Sequence, residues 1–276
     1  MFKSSCLPRL LAATLLVTPA AGLAGETALL PIPGDAVALD YRAYKGGFRV
    51  MELQIGLDLS EPGAYRMSMD AELVGAPALI FSYELAMRSE GRQGGEGLAP
   101  QHYRQEADSG DKDQVEWLDL AFDARGVPQV TADPDPAEEP RGQVIAPRRK
   151  GAQDLLTATL EVLRRVAFTE SCDTEARVFD GRRLFDVVSE DQGTAELREG
   201  SINIYSGPAR LCALTVRPLA GYRFDGRDKK NLPEKIELYL GRPSPELPEV
   251  PVRLVVHTGW GAVLVHLVGV SDQAKG

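Results

Sequence analysis

The sequence predicts a mainly β protein: a large antiparallel meander curled into a β-roll or partly closed barrel, with one principal α-helix at about 154–166. Three observations predict it. Apolar and polar residues alternate at period two through the first half, glycine- and proline-bearing turns recur at short intervals, and a single segment carries helical spacing.

Residues 1–24 read as a cleavable export signal. Lys3 and Arg9 form a positive start, residues 10–17 a short apolar run, and Gly22-Leu23-Ala24 the small residues that precede cleavage. The expected mature chain therefore begins at Gly25, leaving 252 of the 276 residues as a single β-rich domain, with division into two β subdomains near 133–153 as the alternative. The apolar run is too short to cross a bilayer, which takes about 20 residues, so no integral span is expected after signal removal. Cys6 lies before that run, not after it where a lipid-attachment cysteine would stand.

The strands follow in order. Residues 38–44 should pair with 48–59 across Lys45-Gly46-Gly47, with Met51, Leu53, Ile55, Leu57 and Leu59 on one face and Glu52, Gln54 and Asp58 on the other. Glu61-Pro62-Gly63 turns the chain into a strand with Tyr65, Met67, Met69 and Ala71 on its apolar parity. A fourth strand is expected to alternate Leu79, Phe81, Tyr83, Leu85 and Met87. Further strands are expected at 101–107, 114–123, 127–131, 175–179, 182–189, 194–198, 201–206, 210–217, 235–240, 251–257 and 262–270. If Gly259-Trp260 is a two-residue turn, Arg253 lies opposite His266 and His257 opposite Ala262.

Asp154 can cap a helix whose Leu156, Leu160, Leu163 and Val166 share one stripe. Residues 133–150 before it are rich in proline and charge, which predicts an exposed loop; a docking loop is the alternative. About twelve strands at roughly 4.8 Å spacing make a sheet near 58 Å wide, and one helix of about 10 Å covers only a strip of it. The sheet must curl on itself, with the helix in or across its mouth.

The net charge is −9, becoming −11 once Lys3 and Arg9 leave with the signal. A surface so acidic excludes nucleic acid as an expected partner. Cys172 and Cys212 are the two cysteines of the expected mature chain, and in an oxidising compartment they read as a disulfide. A redox or metal role is the weaker alternative, because there is no CxxC and no accompanying histidine pair.

Motifs for chemistry are missing. His102, His257 and His266 accompany no HExxH spacing, and there is no GxSxG, GxxxxGK[ST] or GxGxxG; Gly94-Gly95-Glu96-Gly97 precedes Pro100 and reads as a turn. The acidic clusters at Asp108, Asp111 and Asp113 and at Asp225 and Asp228 lack the spacing of a calcium loop and read as solvated turns. No catalytic residue, metal site or cofactor is therefore expected. Trp260, in a tight turn, either folds back over its hairpin or stands out as an anchor for a partner, sugar or membrane interface.

Cys172 followed by Arg177-Val178-Phe179-Asp180-Gly181-Arg182-Arg183 and Phe185-Asp186, then Tyr205-Ser206-Gly207-Pro208-Ala209-Arg210-Leu211-Cys212 and Pro218-Leu219-Ala220-Gly221-Tyr222, resembles the exported proteins grouped as domain-of-unknown-function family 3108. Tyr41, Gly46-Gly47 and the helix opening at Asp154 also look like that family. The resemblance implies a periplasmic, mostly β protein and carries no assigned activity. The expectation is a non-enzymatic periplasmic envelope protein that binds or scaffolds, with a lipid or other amphiphile, or another envelope protein, as occupant. The alternative is an envelope hydrolase with a carboxylate/His site assembled in space.

Overall fold

A computed structural model describes residues 36–95, 97–110, 115–230 and 232–271; the expected signal segment lies outside the described residues. One sheet of thirteen strands runs through them: β1 (Ala36–Lys45), β2 (Phe48–Asp58), β3 (Ala64–Leu73), β4 (Glu84–Gly94), β5 (Gly97–Asp108), β6 (Glu116–Phe122), β7 (Pro128–Asp133), β8 (Thr174–Phe179), β9 (Leu184–Leu197), β10 (Gly207–Ala220), β11 (Lys235–Gly241), β12 (Val250–Thr258) and β13 (Gly261–Ser271). Its order is β7-β6-β5-β4-β3-β2-β1-β13-β12-β11-β10-β9-β8, and every ladder is antiparallel. From β1 in mid-sheet the chain winds outward to one edge at β7, crosses to the other edge at β8, and winds back until β13 zips against β1. The result is a nearly closed barrel.

Alternation sets the faces. Leu53, Ile55, Leu57, Tyr65, Met67, Met69, Leu85 and Met87 join the core, while Glu52, Gln54, Arg66, Asp70 and Arg88 face outward. The hairpins β1–β2, β3–β4, β5–β6, β8–β9, β10–β11 and β12–β13 all turn at one end, here the upper rim. The last pairs His257 with Ala262 and Arg253 with His266, as a two-residue turn requires.

Three strands differ from expectation. Residues 79–83 are not a strand: Pro77 cannot donate to a ladder, and Pro77–Leu79 form a 3-10 turn in which the Ile80 and Phe81 amides both donate to Pro77 O at 3.0 Å. Residues 201–206 form no strand either. Ile204 donates a single hydrogen bond to Leu267 O, at a stretch of β13 beyond its ladder with β12. The two strands expected at 182–189 and 194–198 are one, because Asp191 accepts from the Gly193 amide at 2.7 Å and the ladder shifts register there instead of ending.

The concave face is filled from within. Helix α2 (Leu155–Thr169) begins where Asp154 accepts from the Thr157 amide, and ends at a left-handed Glu170. Leu156 and Leu160 pack into the main core with Tyr65, Tyr103 and Leu120; Val162, Leu163 and Val166 pack on Leu238, Leu240 and the disulfide cysteines. Arg164 reaches Gly94 O at the lower end. The helix therefore fills the barrel along its length, and the apolar cavity left beside it measures about 30 Å³.

The gap between β7 and β8 is covered by residues 134–153, which include the short helix α1 (Ala146–Arg149). Most of this stretch is exposed, as expected, but it is anchored to the barrel. Gln153 bridges to β8 at Val178, Arg149 donates to Pro128 O of β7, and the Arg141 side chain is almost wholly buried. Glu139 accepts from both Arg141 (2.6 Å) and Arg182 (2.6 Å), and Arg141 also binds Asp228 (3.0 Å) of helix α3 (Arg227–Lys230) in the β10–β11 connection. The segment is a strap that docks on its own barrel.

Candidate functional site

Cys172 and Cys212, both fully buried, are bonded to each other and link the end of α2 to β10 across β9. The Cys172 amide donates to Asp191, which also takes Arg210 at 2.7 Å. Burial opposes ionisation of Asp191, yet the Gly193 amide and Arg210 outweigh it and hold its carboxyl below the ordinary range. The cysteines are packed among Val162, Leu238 and Leu240.

Inside the barrel lies one polar cluster. Asp154 accepts hydrogen bonds from the Thr157 amide (2.9 Å), the Thr157 hydroxyl (2.6 Å) and Ser89 (3.0 Å), and Tyr65 meets Thr157 at 2.7 Å. Burial pushes the Asp154 pKa up despite these donors. The cluster ties α2 to β3 and β4, and its polar atoms satisfy one another.

The outer wall carries two open grooves. The larger, about 770 Å³, is lined by Asp40, Glu52, Asp70, Glu72, Glu84, Glu106 and Asp108 with Arg42 and Gln54. Three of its seven carboxylates pair with arginines: Glu52 with Arg42 and Arg49, Asp70 with Arg88, Glu106 with Arg104. Register also places Glu52, Glu72, Glu84 and Asp108 directly opposite one another across β2 to β5, a row of like charges. They do not converge, and among the described residues no three or more His, Cys, Asp or Glu side chains are placed to hold a metal ion. Sequence alternation puts each of these residues outside; only register aligns them, which is why the row escapes a reading of the chain.

The smaller groove, about 340 Å³, is bordered by His102 with Ser68, Arg66, Arg88 and Glu90. His102 Nε2 lies 2.9 Å from both Asp119 oxygens, with Arg104 3.6 Å from the same carboxylate. This is the one His–carboxylate pair in hydrogen-bond contact among the described residues, and the Nε2 contacts go to Asp119 rather than to a hydroxyl or thiol. His257 stands 3.5 Å from Glu237. His266 is buried beside Arg253 and edge-on to Tyr44, and burial together with the Arg253 charge lowers its pKa. The structure does not bring the three histidines into one site.

Of the acidic turns, Asp108 accepts from the Gly110 amide, while Asp111 and Asp113 lie outside the described residues. Asp225 takes the Arg227 amide and guanidinium, which lower its pKa to about 2, and Asp228 is held by Arg141. Arginines occupy Asp225 and Asp228 as partners. Trp260 does not fold back: it is among the most exposed large apolar side chains described.

The sequence model of the family described as "Protein of unknown function (DUF3108)" matches residues 40–268, from within β1 to within β13. The chain belongs to that family. The DUF3108 match covers both halves of the sheet and the strap between them. No curated protein matches the sequence. Among solved structures, the DUF3108 chain is similar to a β-barrel-like protein of domain of unknown function DUF1849 from Brucella abortus, with a TM-score of 0.52 and 10% identity over 90% of this chain and 99% of that one. At that identity the likeness is one of fold.

Proposed function

We propose that the protein is an exported, non-enzymatic module of the periplasmic envelope that binds or scaffolds another envelope component. The observation that carries this reading is the filled barrel: α2 occupies the concave face and a buried disulfide fastens its end, so recognition falls to the outer wall and rims. A lipid or other amphiphile would find about 30 Å³ inside, against about 300 Å³ or more in ordinary ligand pockets. An amphiphilic partner therefore engages the exterior. The signal-like residues 1–24 and the paired cysteines support export through an oxidising compartment.

Cell fractionation with thiol alkylation tests this. The expected result is release by osmotic shock, an N-terminus at Gly25, and Cys172 and Cys212 protected from alkylation until reductant is added. Retention in the cytoplasm with both thiols free overturns it. The hydrolase reading has one observation in its favour, the His102–Asp119 pair beside the smaller groove. It predicts hydrolysis of an envelope ester, amide or glycoside that His102→Gln abolishes.

A further inference from the structure

The exposed apolar side chains are not scattered. Among the described residues, the large hydrophobic side chains more than about 60% exposed are Phe48, Leu79, Ile80, Phe81, Phe224 and Trp260, at 65–88%. All six lie at the upper rim: Phe48 at the β1–β2 turn, Leu79, Ile80 and Phe81 in the β3–β4 loop, Phe224 in the β10–β11 connection and Trp260 in the β12–β13 turn.

Three of those sites are neighbours. Lys45 pairs with Val263, which sets the Phe48 turn beside the Trp260 turn, and the Val74 amide donates to Val50 O, which sets the β3–β4 loop beside β2. From β12 to β4 is five strand spacings, about 24 Å of rim. The three consecutive apolar residues are also held outward by a built loop. Gly75 (φ +70°) sits so close to the β2 turn that a Cβ would stand 2.5 Å from Arg49 O. The Leu73 amide donates to Tyr83 O, closing the loop behind them. A folded protein rarely presents such a run to water without a use for it.

We propose that this rim docks on a lipid bilayer surface, with the six side chains inserted at headgroup depth. This deepens the envelope-module reading by naming its partner surface. Separate tips that each end in one or a few large side chains suit a fluid interface, where each inserts independently; a folded partner would need a continuous complementary patch. Tryptophan and phenylalanine are the side chains suited to that depth. Charge selects the lipid. Lys45 and Arg49 flank Phe48, but Glu72 and Glu84 face each other immediately behind the β3–β4 loop, next to Asp108. That acidic row is repelled by anionic headgroups and offsets the cations at the other tips, Lys45 and Arg49 beside Phe48 and Arg227, Lys229 and Lys230 beyond Phe224, so the surface fitted is zwitterionic and the attraction is apolar.

The test is sedimentation of the purified protein with phosphatidylcholine vesicles, alongside vesicles in which a third of the lipid is phosphatidylglycerol. Binding is expected to phosphatidylcholine, and to persist from about 0.1 M to about 1 M salt, across which the Debye length falls from about 10 Å to about 3 Å. It should be no stronger on the anionic vesicles. Combining Phe48→Ser, Phe81→Ser and Trp260→Ser should weaken it about tenfold or more while circular dichroism is unchanged, since all three side chains are exposed. Brominated lipid should quench the wild type strongly and Trp260→Phe much less, because its remaining Trp117, at the start of β6, is only partly exposed and lies under Arg104. Three results overturn the proposal: no binding by the wild type, equal binding by the triple variant, or concentration-dependent self-association that shields Trp260 and identifies a second copy as the occupant. A periplasmic protein with protected cysteines that ignores vesicles would defeat this inference alone.

Discussion

Asp154 is asked to do two opposed things: cap α2, which wants a charged or polar acceptor, and lie fully buried, which penalises the charge. Its folded pKa is raised, so the folded state holds the proton more tightly than the unfolded chain, and stability is lost as pH climbs from the ordinary aspartate value of about 3.9. Asp154→Asn keeps an oxygen for the cap and removes the charge. Relative to the wild type it should gain stability as pH is raised from about 4 to 7, reaching within about 1 kcal/mol at neutrality, as read by urea unfolding. Asp154→Ala loses the cap and orphans the Ser89 and Thr157 hydroxyls, which should cost about 3 kcal/mol in the same assay. The cap was legible in the sequence because Asp154 precedes a leucine stripe. Its partner Ser89 was not, since a serine on the apolar parity of a strand gives no hint of what will reach it from 65 residues away.

The strap shows the same divide among elements. Proline and charge correctly mark 133–150 as irregular, but composition does not reveal that Glu139, Arg141, Arg182 and Asp228 assemble from three separate segments. Burial opposes ionisation of Glu139, and the guanidinium hydrogen bonds overcome it, leaving its pKa below the ordinary value. The unfolded chain then binds the proton first. This contribution is complete above the ordinary glutamate pKa of about 4.3 and is lost as pH falls through the lower folded value. Acid should therefore loosen the seam, seen as faster amide exchange in β7 and β8. Glu139→Ala should bring the same exchange pattern at neutral pH and cost about 2 kcal/mol, because Arg182 loses its carboxylate and Arg141 is left with Asp228 alone as its counter-charge. The β3–β4 loop misleads in the opposite sense. Its apolar alternation imitates a strand, and Pro77 is the single residue that breaks the imitation.

At the scale of the molecule, fold class, helix position and cysteine pairing follow from alternation, one stripe and two surviving cysteines, whereas the zipping of β13 onto β1 has no local signal. Closing a loop of 40 residues, the disulfide should contribute roughly 4 kcal/mol. Reduction with dithiothreitol should lower the urea midpoint and steepen the slope, because the freed unfolded chain exposes more surface. Reduced protein that unfolds at the same midpoint would mean that packing of α2 alone holds that wall. The strand order has a last consequence for how such a chain is made and damaged. Seven strands emerge first and six later, each set paired by adjacent hairpins, and the two sets meet only when the final strand is in hand. Loss of residues 261–276 would then not trim an edge. It would remove the keystone between two half-shells, leave the earliest strand with a bare flank in the middle of the structure, and turn a shortened product into an aggregation hazard instead of a slightly smaller barrel.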